Sequence, residues 1–527
     1  MRTTSATPPS STPDVAHNAG FAMLAKVFYL ASRLAVPPLV LAHVTLAEYG
    51  LWSAAFVLIM YIGLTDVGFS NVYVRFVSRF HAQGDVAAIN RLLSTGVFTL
   101  TLLAALVLLG LWAALPQVLD FLNVDAAHRG TAAILMFGAA GMFLVDLSLG
   151  AYCYLLHGLQ RIRQEQTVAI IGYVLELVAI AGFLLAGLGV YSLLAAFVLR
   201  YTWSLTSFIR LAHRFIPELQ VRLRHYDRAM LRHFFSFGVP IQISALLGTV
   251  LFSVDRVIAG ALFGPQGIAL FELGTKLPLA AVSVPAAISN VAMPAAARMS
   301  TLGDQAGVRR LYRSASRSIS LLAGVPLGFM AVFAAPIAFA WLGPRDDLTS
   351  LPLILALTSL SAHLHIVTGP GSAVYRALGQ VRNEFVYHGL RFTGLALGIG
   401  LAIGILGPST TTLAIGVAAG NACAALGYLM HNQRRMGLSP GLLFGEILLP
   451  GFAAYAVAAA LLPAWNWLVP VNTPRWETLA GIMSFGLVYC AALGLLAWRW
   501  LLLPDERARL SGLIASTSGR ILKWRNS

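Results

Sequence analysis

Lys26, Tyr29 and Arg33 fall at i, i+3 and i+7 in an otherwise apolar run. A helix there puts two cations and a phenol on one face. A second group sits in LFSVDRVIAGALFGPQGIALFELGTKLPL (251–279), where Asp255 adjoins Arg256 and Glu272 precedes Lys276 by four residues. Asp66, Asp146, Glu176 and Arg200 are further ionisable residues inside long apolar stretches. Charge in such surroundings either neutralises a neighbouring helix or meets an oppositely charged ligand or coupling ion.

The spacing separates these roles. Arg33 lies about thirteen residues into its run, too deep to snorkel easily to a surface, and Lys276 is also deep. Both are candidate cations for an anionic substrate, with Lys26, Tyr29, Arg256 and Arg200 as further binding candidates. Glu176 and Arg200 are expected to pair with each other, with Asp146 joining them. Glu272 and Lys276 form an i, i+4 pair that is either a structural salt bridge or part of a site. Asp255 and Glu272 are candidates for proton or sodium coupling or for salt bridges, and Asp66 caps its helix or meets Lys26. His363 and His365, two apart, fall on different helix faces and do not read as a metal site.

The elements that must carry these residues follow from composition. The chain of 527 residues is 58% hydrophobic and 11% charged, against about 25% charged in a soluble domain. Its apolar residues gather in blocks of about twenty, the length that crosses a bilayer as a helix. The expected fold is therefore an all-α polytopic membrane protein with about fourteen spans between residues 20 and 502. Cys153, Cys423 and Cys490 lie within apolar runs without metal-ligand spacing and read as free thiols. No Walker A loop, H-E-x-x-H or G-x-S-x-G pattern occurs. Neither enzyme chemistry, a resident cofactor nor a metal is expected.

Orientation follows from lysine and arginine. With both termini in the cytoplasm, 26 of the 36 basic residues fall in inner loops, tails and their edges, seven lie within the spans, and only Arg129, Arg345 and Arg475 fall in outer loops. The formal charge of +15 is thus mostly a topology signal. It also favours anionic inner-leaflet lipid as a contact, and nucleic acid is not an expected partner.

The inner loops disclose a repeat. SNVYVRFVSRFHAQGDVAAINRL (70–92) and SNVAMPAAARMSTLGDQAGVRRL (289–311) share nine of 23 positions at an offset of 219. Leu159, Arg163 and Glu165 match Leu378, Arg382 and Glu384 at the same offset. Two six-span halves in parallel orientation are implied. The expected organisation is a disordered tail (1–19), an N-lobe (20–215), an amphipathic surface linker (216–237) and a C-lobe (238–432). Two extra spans (446–502) and a basic tail (503–527) complete it. Arg33 and Lys276 align with Phe252 and Val57, so their charge belongs to one half each. That favours a site over an inherited device.

Several motifs resemble the polysaccharide-transporter branch of the multidrug/oligosaccharidyl-lipid/polysaccharide exporter (MOP) superfamily. They are A-E-Y-G-L-W (47–52), G-L-T-D-V-G-F (63–69), L-L-H-G-L-Q-R-I-R-Q-E (155–165) and S-V-D-R-V-I-A-G…F-G-P-Q-G-I-A-L-F-E-L-G-T-K-L (253–277). Ile268 and Ala269 stand where a Gly-Tyr pair is often seen. This branch includes the Wzx-type flippases. The resemblance implies transfer of an undecaprenyl-diphosphate-linked oligosaccharide from the inner to the outer leaflet of the bacterial plasma membrane, by alternating access, for lipopolysaccharide or exopolysaccharide synthesis. It implies a cationic cavity, carried here by Arg33 and Lys276, with Arg256 and Arg200 weaker. A polysaccharide polymerase and a chain-length regulator are the expected protein partners. A lipid II flippase and a multidrug/cation antiporter are the alternatives.

Overall fold

Among the described residues, the seventeen from Leu46 to Ile62 form an apolar helix, and twelve other helices are long and apolar enough to cross a membrane. One of the twelve, Leu247–Thr301, is counted as a single helix but is broken at Gly264. Counting it as two segments and adding the shorter helix makes fourteen, as the hydropathy predicts. These come from a computed structural model, which describes residues 12–63, 69–380, 382–470 and 472–502, together with 504, 506, 507 and 511. For 12–20, 22, 233 and 235–246 only the backbone is described. No strand occurs among the described residues. Large apolar side chains such as Leu185, Ile405 and Leu106 point outward, as lipid-facing helices require. The protein is an all-α polytopic membrane protein.

Two compact units divide the chain. The first takes in Met1–Leu277 with Asp346–Ser350 and Ile399–Leu413, and the second takes in Pro278–Arg345, Leu351–Gly398 and Ala414–Ser527. The main boundary thus falls between Leu277 and Pro278, inside a helix, and not in the 216–237 linker.

Unit 1 is built from α1 (Thr12–Leu41), α2 (Leu46–Ile62), α3 (Phe69–Ala82), α4 (Val86–Phe121), α5 (Arg129–Leu149), α6 (Ala151–Gly158), α7 (Ile162–Leu185) and α8 (Tyr191–Phe215), and the start of α9 (Arg228–Thr301). Helix α1 begins at Thr12, so residues 12–19 are helical where a disordered tail was expected. Helix α2 opens on a capping box. The Thr45 side chain accepts from the Glu48 backbone N–H, and the Glu48 carboxylate accepts from the Thr45 N–H at 2.8 Å. Such reciprocal bonds fix a helix start.

Helix α9 is a hairpin. Gly264 has φ 65° and ψ −162°, a conformation that is essentially confined to glycine. Beyond it the chain folds back, so that Arg256 meets Glu272 and Thr275. A Cβ on Gly50 of α2 would collide with the carbonyl of Pro265 at this turn. The A-E-Y-G-L-W and F-G-P-Q-G motifs therefore touch, and glycine at position 50 lets the two backbones approach.

The 216–237 linker departs from the amphipathic helix expected there. Residues 216–227 hold only a 3₁₀ turn at Leu223–His225, and helix resumes at Arg228. The strap is tied by backbone bonds to α4. Gln220 N–H donates to Asn90 at 2.9 Å, Arg222 N–H to Ser94 at 3.1 Å and Asp227 N–H to Thr95 at 2.9 Å. Those partners satisfy strap amides that a helix would otherwise satisfy internally. Leu219 inserts into the core of unit 1.

Unit 2 continues α9 and adds α10 (Gln305–Val332), α11 (Ala334–Leu342), α12 (Leu351–Val367), α13 (Gly369–Ala377), α14 (Arg382–Leu406) and α15 (Thr410–Arg435). Helix α16 (Pro440–Leu442) runs through a π turn into α17 (Leu449–Leu468), and α18 (Arg475–Leu496) follows. Arg317, almost wholly buried, ties α10 to these last helices. It donates to Glu446 O at 2.7 Å, to Leu501 O and to Glu506 at 3.2 Å.

The offset of 219 persists in the local geometry of the units. Asp85 and Asp304 each cap a helix, accepting from Ala88 N–H at 2.8 Å and Gly307 N–H at 2.7 Å. Gly84 and Gly303 precede them with φ of 69° and 73°. His157 meets Glu165 at 2.7 Å, and Arg376 meets Glu384 at 2.5 Å. Gln160 and Gly379 share positive φ, at 59° and 70°.

Candidate functional site

Six of the candidate ionisable residues of unit 1 gather into two clusters. In the first, α1 supplies Arg33, α7 supplies Glu176 and α8 supplies Arg200. Arg33 donates from Nη2 to Glu176 Oε2 at 3.0 Å and reaches Oε1 at 3.4 Å. Arg200 Nε lies 3.2 Å from the same Glu176 Oε2. The Glu176 side chain is 5% exposed, whereas that of Arg33 keeps 23%. Two guanidiniums thus share one carboxylate, and the more open cation is Arg33.

Aromatic rings surround this cluster. Lys26 Nζ lies 5.2 Å and the Arg33 guanidinium 5.4 Å from the Tyr29 ring. Arg200 lies 4.1 Å from the ring of Tyr201 and 5.5 Å from that of Phe197. Tyr29 and Tyr173 rings are 5.3 Å apart. Phe197 also meets Trp52 and Phe56 edge-on, which brings α2 to the same place. Cation–π contacts hold a guanidinium without neutralising its charge.

The α9 hairpin carries the second cluster. Glu272 accepts from Lys276 Nζ at 2.5 Å and lies 3.0 Å from Arg256 Nε. Arg256 Nη2 also donates to Thr275 Oγ1 at 2.8 Å. The turn at Gly264 is what sets Arg256 on one arm against Glu272 and Thr275 on the other. Asp255 is buried, accepts from the Arg256 backbone N–H at 2.9 Å and acts on the Arg256 charge. Arg33 is within electrostatic reach of Glu272, Lys276 and Tyr49, so the two clusters are neighbours.

The structure therefore brings Arg33, Arg200, Glu176, Arg256, Glu272 and Lys276 into one charged region with Lys26 and Tyr29 at its edge. Glu176 pairs with Arg200, the arrangement expected. Arg33 and Lys276 are not lone cations: each has a glutamate. Asp146 on α5 lies near Arg200, along a cavity shared with Tyr173 and Tyr201. Asp66 lies outside the described residues. Tyr49, Phe56, Tyr173, Phe197 and Tyr201 join the site without having been picked out in the sequence. Their one local signal is spacing: Tyr173 precedes Glu176 by three residues, and Phe197 and Tyr201 bracket Arg200. No group of three or more His, Cys, Asp or Glu that could hold a metal occurs among the described residues. His363 is buried in unit 2, where its ring nitrogens meet Ser320 and Tyr455.

Comparison with known proteins places this arrangement in context. Residues 41–343, more than half of the chain, match the model of the polysaccharide biosynthesis protein family. The fold is similar to that of the lipid II flippase MurJ in an inward closed conformation, with a TM-score of 0.65 and 13% identity over 92% of this chain and 98% of that one. It is equally similar, at TM-score 0.65 and 14% identity, to an inward-facing multidrug resistance MATE family transporter, over 81% of this chain and 98% of that one. A MOP superfamily transporter from Pyrococcus furiosus, described as having a binding pocket of reverse polarity, matches with a TM-score of 0.53 and 16% identity over 81% of this chain and 96% of that one. Among curated proteins, none matches. The chain belongs to the polysaccharide biosynthesis protein family.

Proposed function

We propose that this transporter is a flippase that carries a polyprenyl-diphosphate-linked oligosaccharide across the plasma membrane by alternating access. The observation that carries the reading is the Arg33–Glu176–Arg200 cluster. Two guanidiniums facing one carboxylate leave an excess positive charge among membrane-spanning helices, where charge costs several kcal/mol. An anionic ligand offsets that cost, and Arg33 keeps the exposure to meet one. Guanidinium groups match phosphate oxygens in pairs, and the surrounding tyrosines offer faces on which sugar rings stack. Lys276, equally placed on one glutamate beside Arg33, extends the same field. Asp255 and Glu272, on the same hairpin as Lys276, are the candidates for proton or sodium coupling.

A second reading, transport of lipid II, draws on the likeness to MurJ, which takes in 92% of this chain against 81% for the MATE transporter. One experiment separates the two. Deletion of the gene should leave lipid-linked repeat units in the inner leaflet and reduce surface polysaccharide, with peptidoglycan synthesis intact. Normal surface polysaccharide in the deletion strain would refute the reading. In liposomes, the purified protein should flip a polyprenyl-diphosphate-linked oligosaccharide. Arg33→Gln should slow it about tenfold, the effect of losing one charge-assisted contact worth ~1.4 kcal/mol.

A further inference from the structure

Beside the charged clusters, unit 1 holds a cavity of about 320 Å³ between α5, α6, α7 and α8. Asp146, Cys153, Tyr173, Arg200, Tyr201 and Ser204 are among its lining residues. Asp146 makes no hydrogen bond or ion pair among the described residues, although it is close enough to Arg200 to feel its charge. Arg200 turns its Nε to Glu176 and so belongs to the cavity and to the cationic cluster at once.

The lining selects against simple ions. A phosphate would meet the Asp146 carboxylate, and a bare cation would meet the Arg200 guanidinium and aromatic faces. The volume lies at the lower end of the ~300–1,000 Å³ typical of small-molecule sites, large for an ion and suited to a sugar ring. A carboxylate to accept hydroxyl hydrogens, a guanidinium and a serine to bond hydroxyl oxygens, and tyrosine faces against C–H surfaces are together what a neutral polyol needs.

The cavity is also not a by-product of the repeated fold. At the offset of 219, Arg200, Tyr201 and Ser204 correspond to Ala419, Gly420 and Cys423. There α14 and α15 pack backbone to backbone: a Cβ on Gly394 would lie 2.6 Å from Gly420 O, and Gly398 would collide with Gly416 O. At these positions the second repeat packs small residues tightly, where the first repeat lines a cavity with polar and aromatic ones.

We propose that this cavity is a subsite for an uncharged sugar ring of the transported headgroup, with Asp146 accepting its hydroxyls and Tyr173 and Tyr201 flanking its faces. This rests on the flippase reading, in which Arg33 and its neighbours take the diphosphate and Arg200 marks the junction. Cys153 provides the test. In the full-length protein carrying Cys423→Ser and Cys490→Ser, the rate of maleimide labelling at Cys153 is measured with glucose, galactose, mannose, N-acetylglucosamine, sodium chloride or inorganic pyrophosphate. At least one sugar should slow labelling several-fold, while the salt and pyrophosphate should not. Asp146→Asn and Tyr173→Ala should each remove the protection, read as the ratio of labelling rates with and without sugar in the same variant. If no sugar protects, if sodium or pyrophosphate protects instead, or if protection survives in both variants, the subsite is refuted. Should Arg33-dependent flipping be observed while no sugar protects Cys153, only the subsite falls and the flippase reading stands.

Discussion

Glu176 is the residue on which the first cluster depends. Its removal leaves Arg33 and Arg200 facing each other in a low-dielectric interior. Loss of one partner from a buried pair costs about 3–5 kcal/mol. Arg33→Gln is milder, because Glu176 keeps Arg200. Glu176→Gln should therefore lower the melting temperature of the purified protein clearly more than Arg33→Gln, and Glu176→Gln with Arg33→Gln together should recover part of the loss. Equal shifts for the two single variants would contradict the shared-carboxylate geometry. The identities of the embedded charges were legible in the sequence, since charge stands out against an apolar run. The 176–200 pair was legible too, because short loops make α7 and α8 neighbours. The partner of Arg33 was not, because Glu176 lies 143 residues away and spacing within one helix carries no information about a distant one. The tyrosine lining was hidden for a different reason: aromatic residues in a membrane helix face lipid, core or cavity with the same sequence signature.

At the level of elements, the sharpest local constraint is the meeting of α2 with the α9 turn. Gly50→Val would place side-chain atoms in the Pro265 carbonyl and should abolish stable expression, whereas Gly110→Val, with open space around it, should not. Gly264→Ala should cost about 1–3 kcal/mol, since alanine must enter a glycine-only backbone region. Thermal unfolding followed by size-exclusion chromatography measures both. Helix positions were readable from hydropathy because each span must satisfy its own backbone in lipid. Residues 216–227 of the linker depart from the expected helix, although the basic residues and Phe/Leu/Met side of 216–237 fit an amphipathic one. Bonds from Asn90, Ser94 and Thr95 offer the strap a different way to satisfy its amides. That competition is tertiary and invisible to periodicity.

For the whole molecule, the repeat predicts topology. Cysteines introduced at Gln83 and Leu302, both exposed, should label from the same side of the membrane, and a cysteine at Leu188 from the other. With the orientation set by the basic loops, the first two should react only from the cytoplasm. Labelling of positions 83 and 302 from opposite faces would refute parallel repeats. The duplication was legible because loops preserve caps and turns that spans lose. Divergence between the halves was legible only where a charge had an apolar counterpart. The contrast between the cavity lined by Arg200, Tyr201 and Ser204 and the glycine-packed α14–α15 contact at the matching positions required the structure.

The Gly264 turn has a consequence for how the protein is made. Inserting a charged residue into a bilayer costs about 2.5–3.5 kcal/mol near a helix centre. Two cations, Arg256 and Lys276, and two acids, Asp255 and Glu272, sit on the two arms of one hairpin, so they can neutralise each other as soon as both arms leave the translocon. Arg33 has no such near partner and must wait until α7 has been synthesised. The hairpin is thus equipped to insert as a self-neutralised unit. The first helix enters the membrane with its charge outstanding, and its lateral release is expected to be delayed until Glu176 arrives.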